Sequence, residues 1–336
     1  MALAKPFRRV LIGLAALIFA ATALLLAAWL YIDLAFDSPN EAGTAHIVLI
    51  APGSGVWQIA EALYEAGAVD DPNIFAAGVW QSGTTGALKA GEYEFPAGTT
   101  PRQAMEIILS GKSVQHRLTV PEGLTSAEIG RLLADAEALG GEVGAIPPEG
   151  TLLPETYFYR RGDSRAQLLA RMQAGMVELI AELWPRRAPD LPFETPEEAL
   201  VLASIVEKET AVAVERRKVA GVFVNRLRRS MRLQSDPTVI FAVTGGDGPL
   251  ARPLSKADLA LDNPYNTYRH KGLPPASIAH PGRESLAAVL DPEATDALYF
   301  VADGNGGHVF AATLKEHNKN VVRWRRLQKE RAATEP

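Results

Sequence analysis

The 336-residue sequence contains no cysteine, which excludes disulfides, thiolate metal sites and a cysteine nucleophile. It also has no excess of positive charge. There are 34 Lys and Arg residues against 39 Asp and Glu, a net charge of −5. With no basic stripe along the chain, a nucleic-acid surface is not expected. Ser204 has neither a GxSxG nor an SxxK frame around it, so a serine nucleophile has little support. No HExxH accompanies His308 and His317, and neither a metal nor a cofactor is expected. Gly245–Gly248 is followed by no GKT and reads as a turn, not a phosphate loop. The run Asp303-Gly304-Asn305-Gly306-Gly307 has Leu314 where a calcium loop needs its twelfth-position glutamate, so it is hairpin-turn chemistry.

Hydrophobic residues make up 47% and charged residues 22% of the chain, enough for a sizeable core. Val10 to Ile32 is a 23-residue run without charge, long enough to span about 30 Å of hydrocarbon. Lys5, Arg8 and Arg9 precede it, and Asp33, Asp37 and Glu41 follow. Trp29 and Tyr31 suit a membrane interface. The Ala-rich text at Leu26-Ala27-Ala28 would allow cleavage as a signal peptide, but the run is longer than such peptides carry. The expectation is a single uncleaved transmembrane helix over 10–32. A cytoplasmic tail (1–9) precedes it, and residues 33–336 lie on the outer side, beginning with a tether (33–45).

Beyond the tether one pattern recurs: a short strand, a Pro/Gly turn, a Ser/Thr cap and an amphipathic helix. It begins at His46–Ala51, at Tyr93–Phe95 and at Leu118–Val120. The stretch 46–117 therefore reads as a small α+β module. In order and size it resembles LysM-like sugar-binding modules, although it could equally be a spacer. Residues 140–195 are loop-rich, broken by Gly140-Gly141, Pro147-Pro148 and the run from Pro185 to Pro196, with a helix predicted near Arg165–Trp184. Within them Leu152–Tyr157 (LLPETY) is a candidate cleft segment.

The most informative stretch is Leu200–Thr210, LVLASIVEKET. Thr195, Pro196 and Glu198 form a capping box with proline at the first helical position, so a helix can be projected at about 100° per residue. Glu209 then falls inside the apolar arc of Val201, Leu202, Ile205 and Val206. Glu207 falls on the far side, facing solvent or a neighbouring loop. A carboxyl in apolar surroundings has a raised pKa, as a general acid needs. The plain alternative is a helix-end glutamate that is solvated or paired with Lys208, Arg216 or Arg217.

A second helix is predicted over about Val214–Arg229, with Val219, Val222, Phe223, Arg226 and Leu227 on one stripe. Met231–Thr238 packs polar groups against proline-restricted backbone, as a binding loop would. Asn263-Pro264-Tyr265-Asn266-Thr267-Tyr268 combines amides and rings that suit a sugar; it could equally be a well-capped turn.

Taken together, LASIVEKET, VFVNRLRRSMRLQSDPTVI, NPYNTYRHKGLPPASIAHPG and LYFVADGNGGHVFAATLKEHN resemble the YceG-like family of endolytic murein transglycosylases. The strong match covers about residues 198–320. The resemblance implies an α+β protein with a single N-terminal transmembrane helix, a small LysM-like module and a mixed α/β catalytic domain over 118–330. It implies a membrane-bound enzyme of the cell inner membrane, with its catalytic domain in the periplasm. The enzyme would cut the β-1,4 bond between N-acetylmuramic acid and N-acetylglucosamine within peptidoglycan strands, leave 1,6-anhydro ends, and work near the peptidoglycan synthases. Glu209 aligns with the family's catalytic glutamate. Glu207, Asn225, Gln234, Asp236, Tyr265, Asn266 and Tyr268 are substrate-binding candidates. LPETY carries Glu155 where the family has Asp. One carboxyl suffices for this reaction, and no second carboxylate is expected across the bond from Glu209. The competing readings are a non-enzymatic, membrane-tethered wall binder and a hydrolytic muramidase using Glu155 or Asp236 as second acid.

Overall fold

The computed structural model describes residues 5–334, so the first four residues of the expected tail lie outside it. The chain is a mixed α+β protein of two compact units, Met1–His116 and Arg117–Pro336.

The first unit opens with α1, Lys5–Phe36, one unbroken helix. Its Arg8–Phe36 portion holds an 18-residue window with a mean hydropathy of 2.7 and is long and apolar enough to cross a membrane. The helix passes Ile32 and continues for another turn, so the stretch expected as a tether begins as ordered helix. The reason lies in what that turn touches. Phe36 is 1% exposed and sits 6.5 Å from Phe75. It also lies against Gly78, where a Cβ would come within 2.3 Å of its ring. Arg102 stacks over Phe36 at 5.0 Å and binds Asp33 at 2.9 Å and Asp37 at 2.6 Å. Just beyond, Asn40 donates to the carbonyls of Gly67 and Ala68.

The remainder of this unit is β1 (His46–Ile50), α2 (Val56–Glu65), α3 (Pro72–Ser82), β2 (Gly91–Phe95) and α4 (Pro101–Ser110). The two strands are antiparallel, with His46 opposite Phe95 and Ile50 opposite Gly91. Val48 and Ile50 point into a core with Leu63, Phe75, Tyr93 and Ile108, while Ile47 and Leu49 alternate outward. α4 starts at a capping box of Thr100 and Gln103 with Pro101 inside it.

The second unit contains β3 (His116–Thr119, whose first residue closes the first unit), α5 (Ser126–Ala134), β4 (Thr156–Tyr159) and α6 (Arg165–Leu183). β3 pairs with β4, and Tyr157 and Tyr159 join a core with Ile129, Leu133 and Met172. The segment LLPETY therefore feeds a core strand. Tyr157 is buried and its hydroxyl donates to the Leu153 carbonyl at 2.7 Å, so it forms no cleft wall.

Next come α7 (Pro196–Glu209), α8 (Arg216–Arg228), α9 (Asp236–Thr244), α10 (Lys256–Ala260) and α11 (Arg283–Leu290). The hairpin β5 (Tyr299–Ala302) and β6 (His308–Ala311) and the helix α12 (Leu314–Thr334) follow. The capping box of Thr195 and Glu198 starts α7 as its sequence predicts. α7 is more central than a two-faced helix. Every residue from Ala199 to Val206 is buried, within a core that also takes in α6, α8 and α11. Even Ser204 is fully buried; its hydroxyl donates to the Val201 carbonyl and accepts the Ile278 N–H. A buried helix positions its terminal residue rigidly, and that residue is Glu209.

Candidate active site

The two glutamates at the end of α7 part company as their angular separation requires. The Glu207 side chain is 6% exposed; it lies 3.8 Å from Arg216 and accepts the Gly282 N–H at 2.9 Å. It thus meets a neighbouring loop, away from the cleft. The basic side chains that could have paired with Glu209 are engaged elsewhere. Arg216 faces Glu207 and Glu122, Arg217 binds Asp291, and Lys208 donates to the Gly123 carbonyl.

Glu209 opens into a cleft of about 430 Å³. Its carboxyl lies deep among protein atoms, and that burial pushes its pKa up to about 7. The Asp236 charge adds to the rise, while the Ser235 hydroxyl, His308 and Arg226 oppose it. The hydroxyl of Ser235 donates to Glu209 Oε1 at 2.5 Å. Ser235 is the N-cap of α9, where a serine side chain ordinarily satisfies a backbone N–H of the first turn. Here it makes no such bond, because its hydrogen bond goes to Glu209.

The loop carrying Ser235 is itself held tightly. Gln234 donates its N–H to the Thr267 carbonyl, and Ser235 donates its N–H to Thr267 Oγ1. Thr267 Oγ1 lies 2.8 Å from Thr238 Oγ1. Gln234 has φ +52°, a left-handed conformation that costs a side-chain-bearing residue about 1 kcal/mol or more. It turns the chain so that Leu233, Gln234 and Asp236 line the cleft. Tyr268 lines it too, donating to Asp236 Oδ1 at 2.6 Å; burial foremost, then this bond, raises the phenol's pKa.

The other wall comes from Arg226 on α8, Tyr299 and Phe300 on β5, and Leu314, His317 and Asn318 on α12. His308 stands behind Phe300, ring centroids 5.3 Å apart. Its Nδ1 is 2.7 Å from Glu215, which also accepts its backbone N–H.

Of the substrate-binding candidates, Gln234, Asp236 and Tyr268 meet Glu209 in the cleft. The others do not line it. Asn225 donates its amide to the carbonyls of Thr295 and Ala297. Asn266 is fully buried, donates to the carbonyls of Leu259 and Leu261, and accepts the Tyr268 N–H. Tyr265 packs on Phe241 at 4.8 Å. Of the two openings for 263–268, the capped turn accounts for its amides, and Tyr268 alone projects into the cleft. Asp236, expected as a binding residue, brings a second carboxylate into the cleft; Glu155 lies at the β4 end and does not line it.

Arg226, Tyr299, His317 and Asn318 line the cleft and Ser235 bonds to Glu209, although none of them is among the substrate-binding candidates. Two carried a signal. An arginine on an otherwise apolar stripe must find a buried use, and a serine directly before Asp-Pro marks a helix start. Among the described residues no group of three or more His, Asp or Glu side chains converges as a metal site would.

A cleft with one rigidly held carboxyl, its pKa raised to about 7 and ringed by aromatic and hydrogen-bonding groups, has the equipment of a glycan-cleaving acid catalyst. The chain belongs to the YceG-like family, whose model matches residues 48–323. It is 38% identical over 173 residues to the endolytic murein transglycosylase of Bacillus subtilis (strain 168), a match covering 52% of this chain and 47% of the relative. To that of Streptococcus pneumoniae (strain D39) it is 30% identical over 322 residues, covering 81% of this chain and 57% of the relative. The chain thus spans about half the length of the curated relatives it matches. A crystal structure of a YceG-like protein from Listeria monocytogenes superposes with a TM-score of 0.53 at 31% identity. That match covers 83% of this chain and 99% of the Listeria one.

Proposed function

We propose that the protein is an endolytic peptidoglycan transglycosylase with Glu209 as its single acid–base catalyst. The observation that carries this reading is the carboxyl of Glu209, raised to about 7 by burial at the floor of the cleft, in a chain whose relatives are named for that activity. Glu209, protonated, gives its proton to the glycosidic oxygen, and the bond from C1 of the muramic sugar to O4 of the next glucosamine breaks. The resulting carboxylate takes the proton of the C6 hydroxyl as O6 bonds to C1. The 1,6-anhydro end forms, Glu209 recovers its proton, and no water or cofactor is consumed. Gln234 and Tyr268 bind the flanking sugars.

The apolar helix anchors the chain in the inner membrane, with its basic N-terminal end in the cytoplasm and the folded units in the periplasm, a reading supported by the charge asymmetry around it. Residues 46–117 serve as a LysM-like glycan-binding module. Cuts made beside the membrane fall on nascent strands within reach of the synthases and terminate them.

Hydrolysis is the second reading, and Asp236 in the same cleft is what favours it: a carboxylate there could activate water. Digestion of purified peptidoglycan followed by mass spectrometry separates the two. Anhydro-muramoyl ends support the transglycosylase; reducing ends, heavier by one water, support hydrolysis; release of no fragments leaves a binding scaffold.

A further inference from the structure

Arg226 is buried, 7% exposed, yet no carboxylate pairs with it among the described residues. Its Nε donates to the Leu298 carbonyl at 2.6 Å and its Nη1 to the Leu233 carbonyl at 2.5 Å. The remaining nitrogen, Nη2, has no acceptor there, and the guanidinium lines the cleft. The Tyr299 ring lies 5.2 Å from the guanidinium. Stacked on that same ring, at 5.1 Å and 24°, is His317, whose Nδ1 is buried without a hydrogen-bond partner. An Nη2 open to the cleft and a buried ring nitrogen without a partner therefore flank one ring at the edge of the cleft. A buried guanidinium without a counter-charge is costly, and so is a buried ring nitrogen without a partner. Glu209 does not supply the missing anion: its carboxyl accepts from the Ser235 hydroxyl, and no ion pair joins it to Arg226 among the described residues.

The pair asks for a ligand group with a carbonyl oxygen to accept from Nη2 and, beside it, an N–H to donate to His317 Nδ1. Within a peptidoglycan strand the muramic sugar differs from glucosamine only by its 3-O-lactyl ether. The lactyl carboxyl offers such an oxygen, and when it carries a peptide stem it offers the amide N–H as well. We propose that Arg226 and His317 form a lactyl-recognition subsite that tells the muramoyl residue from the glucosaminyl residue. Arg226 Nη2 binds the lactyl carbonyl, and His317 binds the amide N–H of a stem-bearing strand. This rests on the transglycosylase reading for its substrate, and the binding test below does not require turnover.

The experiment is calorimetric binding to the full chain in detergent micelles. The probes are a chitotriose, the same trisaccharide with a central muramoyl unit as the free acid, and that trisaccharide as its alanyl amide. The muramoyl ligands are expected to bind about tenfold tighter than chitotriose, the difference one charge-assisted hydrogen bond makes. Arg226→Lys is expected to abolish that preference for both muramoyl ligands. His317→Ala is expected to weaken the amide severalfold and leave the free acid unchanged. Because Arg226 also ties down the Leu233 loop, the wild-type comparison of the three ligands stands by itself. Equal affinity of wild type for all three, or an undiminished preference in Arg226→Lys, overturns the subsite. Anhydro products together with equal affinities would remove the subsite and leave the proposed activity standing. A tenfold preference without any digestion would do the reverse.

Discussion

At Glu209 burial and a serine hydroxyl pull the carboxyl in opposite directions. Burial wins and holds the pKa near 7. If the protonated form starts the reaction, kcat/KM is expected to fall as pH rises above about 7, read from a pH–rate profile; a rate still climbing at pH 9 would exclude this acid. Glu209→Gln is expected to abolish strand cleavage, whereas Glu207→Gln, whose target accepts a backbone N–H outside the cleft, should retain it. Removing the Ser235 hydroxyl removes an influence that lowers the pKa, so in Ser235→Ala the descending limb should move to higher pH. Stability follows the same proton. The folded chain holds it up to about pH 7, the unfolded chain only to about 4.5. Its contribution is therefore complete below pH 4.5 and is lost as pH rises through 7. At pH 8 Glu209→Gln should be more stable than the parent, by about 1–2 kcal/mol once solvent in the cleft is allowed for. Gln234→Gly should relieve the left-handed backbone and gain a few tenths to about 1 kcal/mol, at a loss in substrate affinity; chemical denaturation and KM measure the two effects separately.

Among the elements, α7 was the most legible, since Thr195, Pro196 and Glu198 give its start in letters and an apolar run gives its length. Thr195→Ala is expected to cost about 1 kcal/mol in unfolding free energy, and because the buried middle of the helix, Ala199–Val206, carries Glu209 at its end, strand cleavage should fall with it. The hairpin of β5 and β6 was equally readable from its Asp-Gly-Asn-Gly-Gly turn. α3 was harder, although Asp71, Pro72 and Gly83 mark both its ends: buried Phe75 and Val79 share the helix with an exposed Trp80, so no clean stripe stands out. The residues of the far wall lie within quoted motifs, but their place opposite Glu209 could not be read, because α12 supplies His317 and Asn318 from about a hundred residues downstream of it. Asn225 and Asn266 misled for a physical reason: an amide suits a sugar hydroxyl and a backbone carbonyl equally well, and only packing decides which it meets.

At the scale of the molecule, the junction after the apolar helix is structural, not a loose leash. A chain beginning at Ser38 loses Phe36 from the first unit's core, along with the Asp33 and Asp37 partners of Arg102. It should unfold at a lower temperature than one beginning at Leu30, by a margin reflecting about 2–3 kcal/mol for the buried ring. If the two melt together, the helix end contributes nothing to that unit. The continuity of α1 also makes it an axle. Deleting one residue between Val10 and Ile32 would swing the first unit by about 100° around the helix axis and lower it by about 1.5 Å, while deleting seven would restore its bearing and lower it by about 10 Å. Bearing and height are thus separately adjustable. A neighbour that grips one side of the helix would feel the first change, and a target at a fixed distance from the helix's N-terminal end would feel the second.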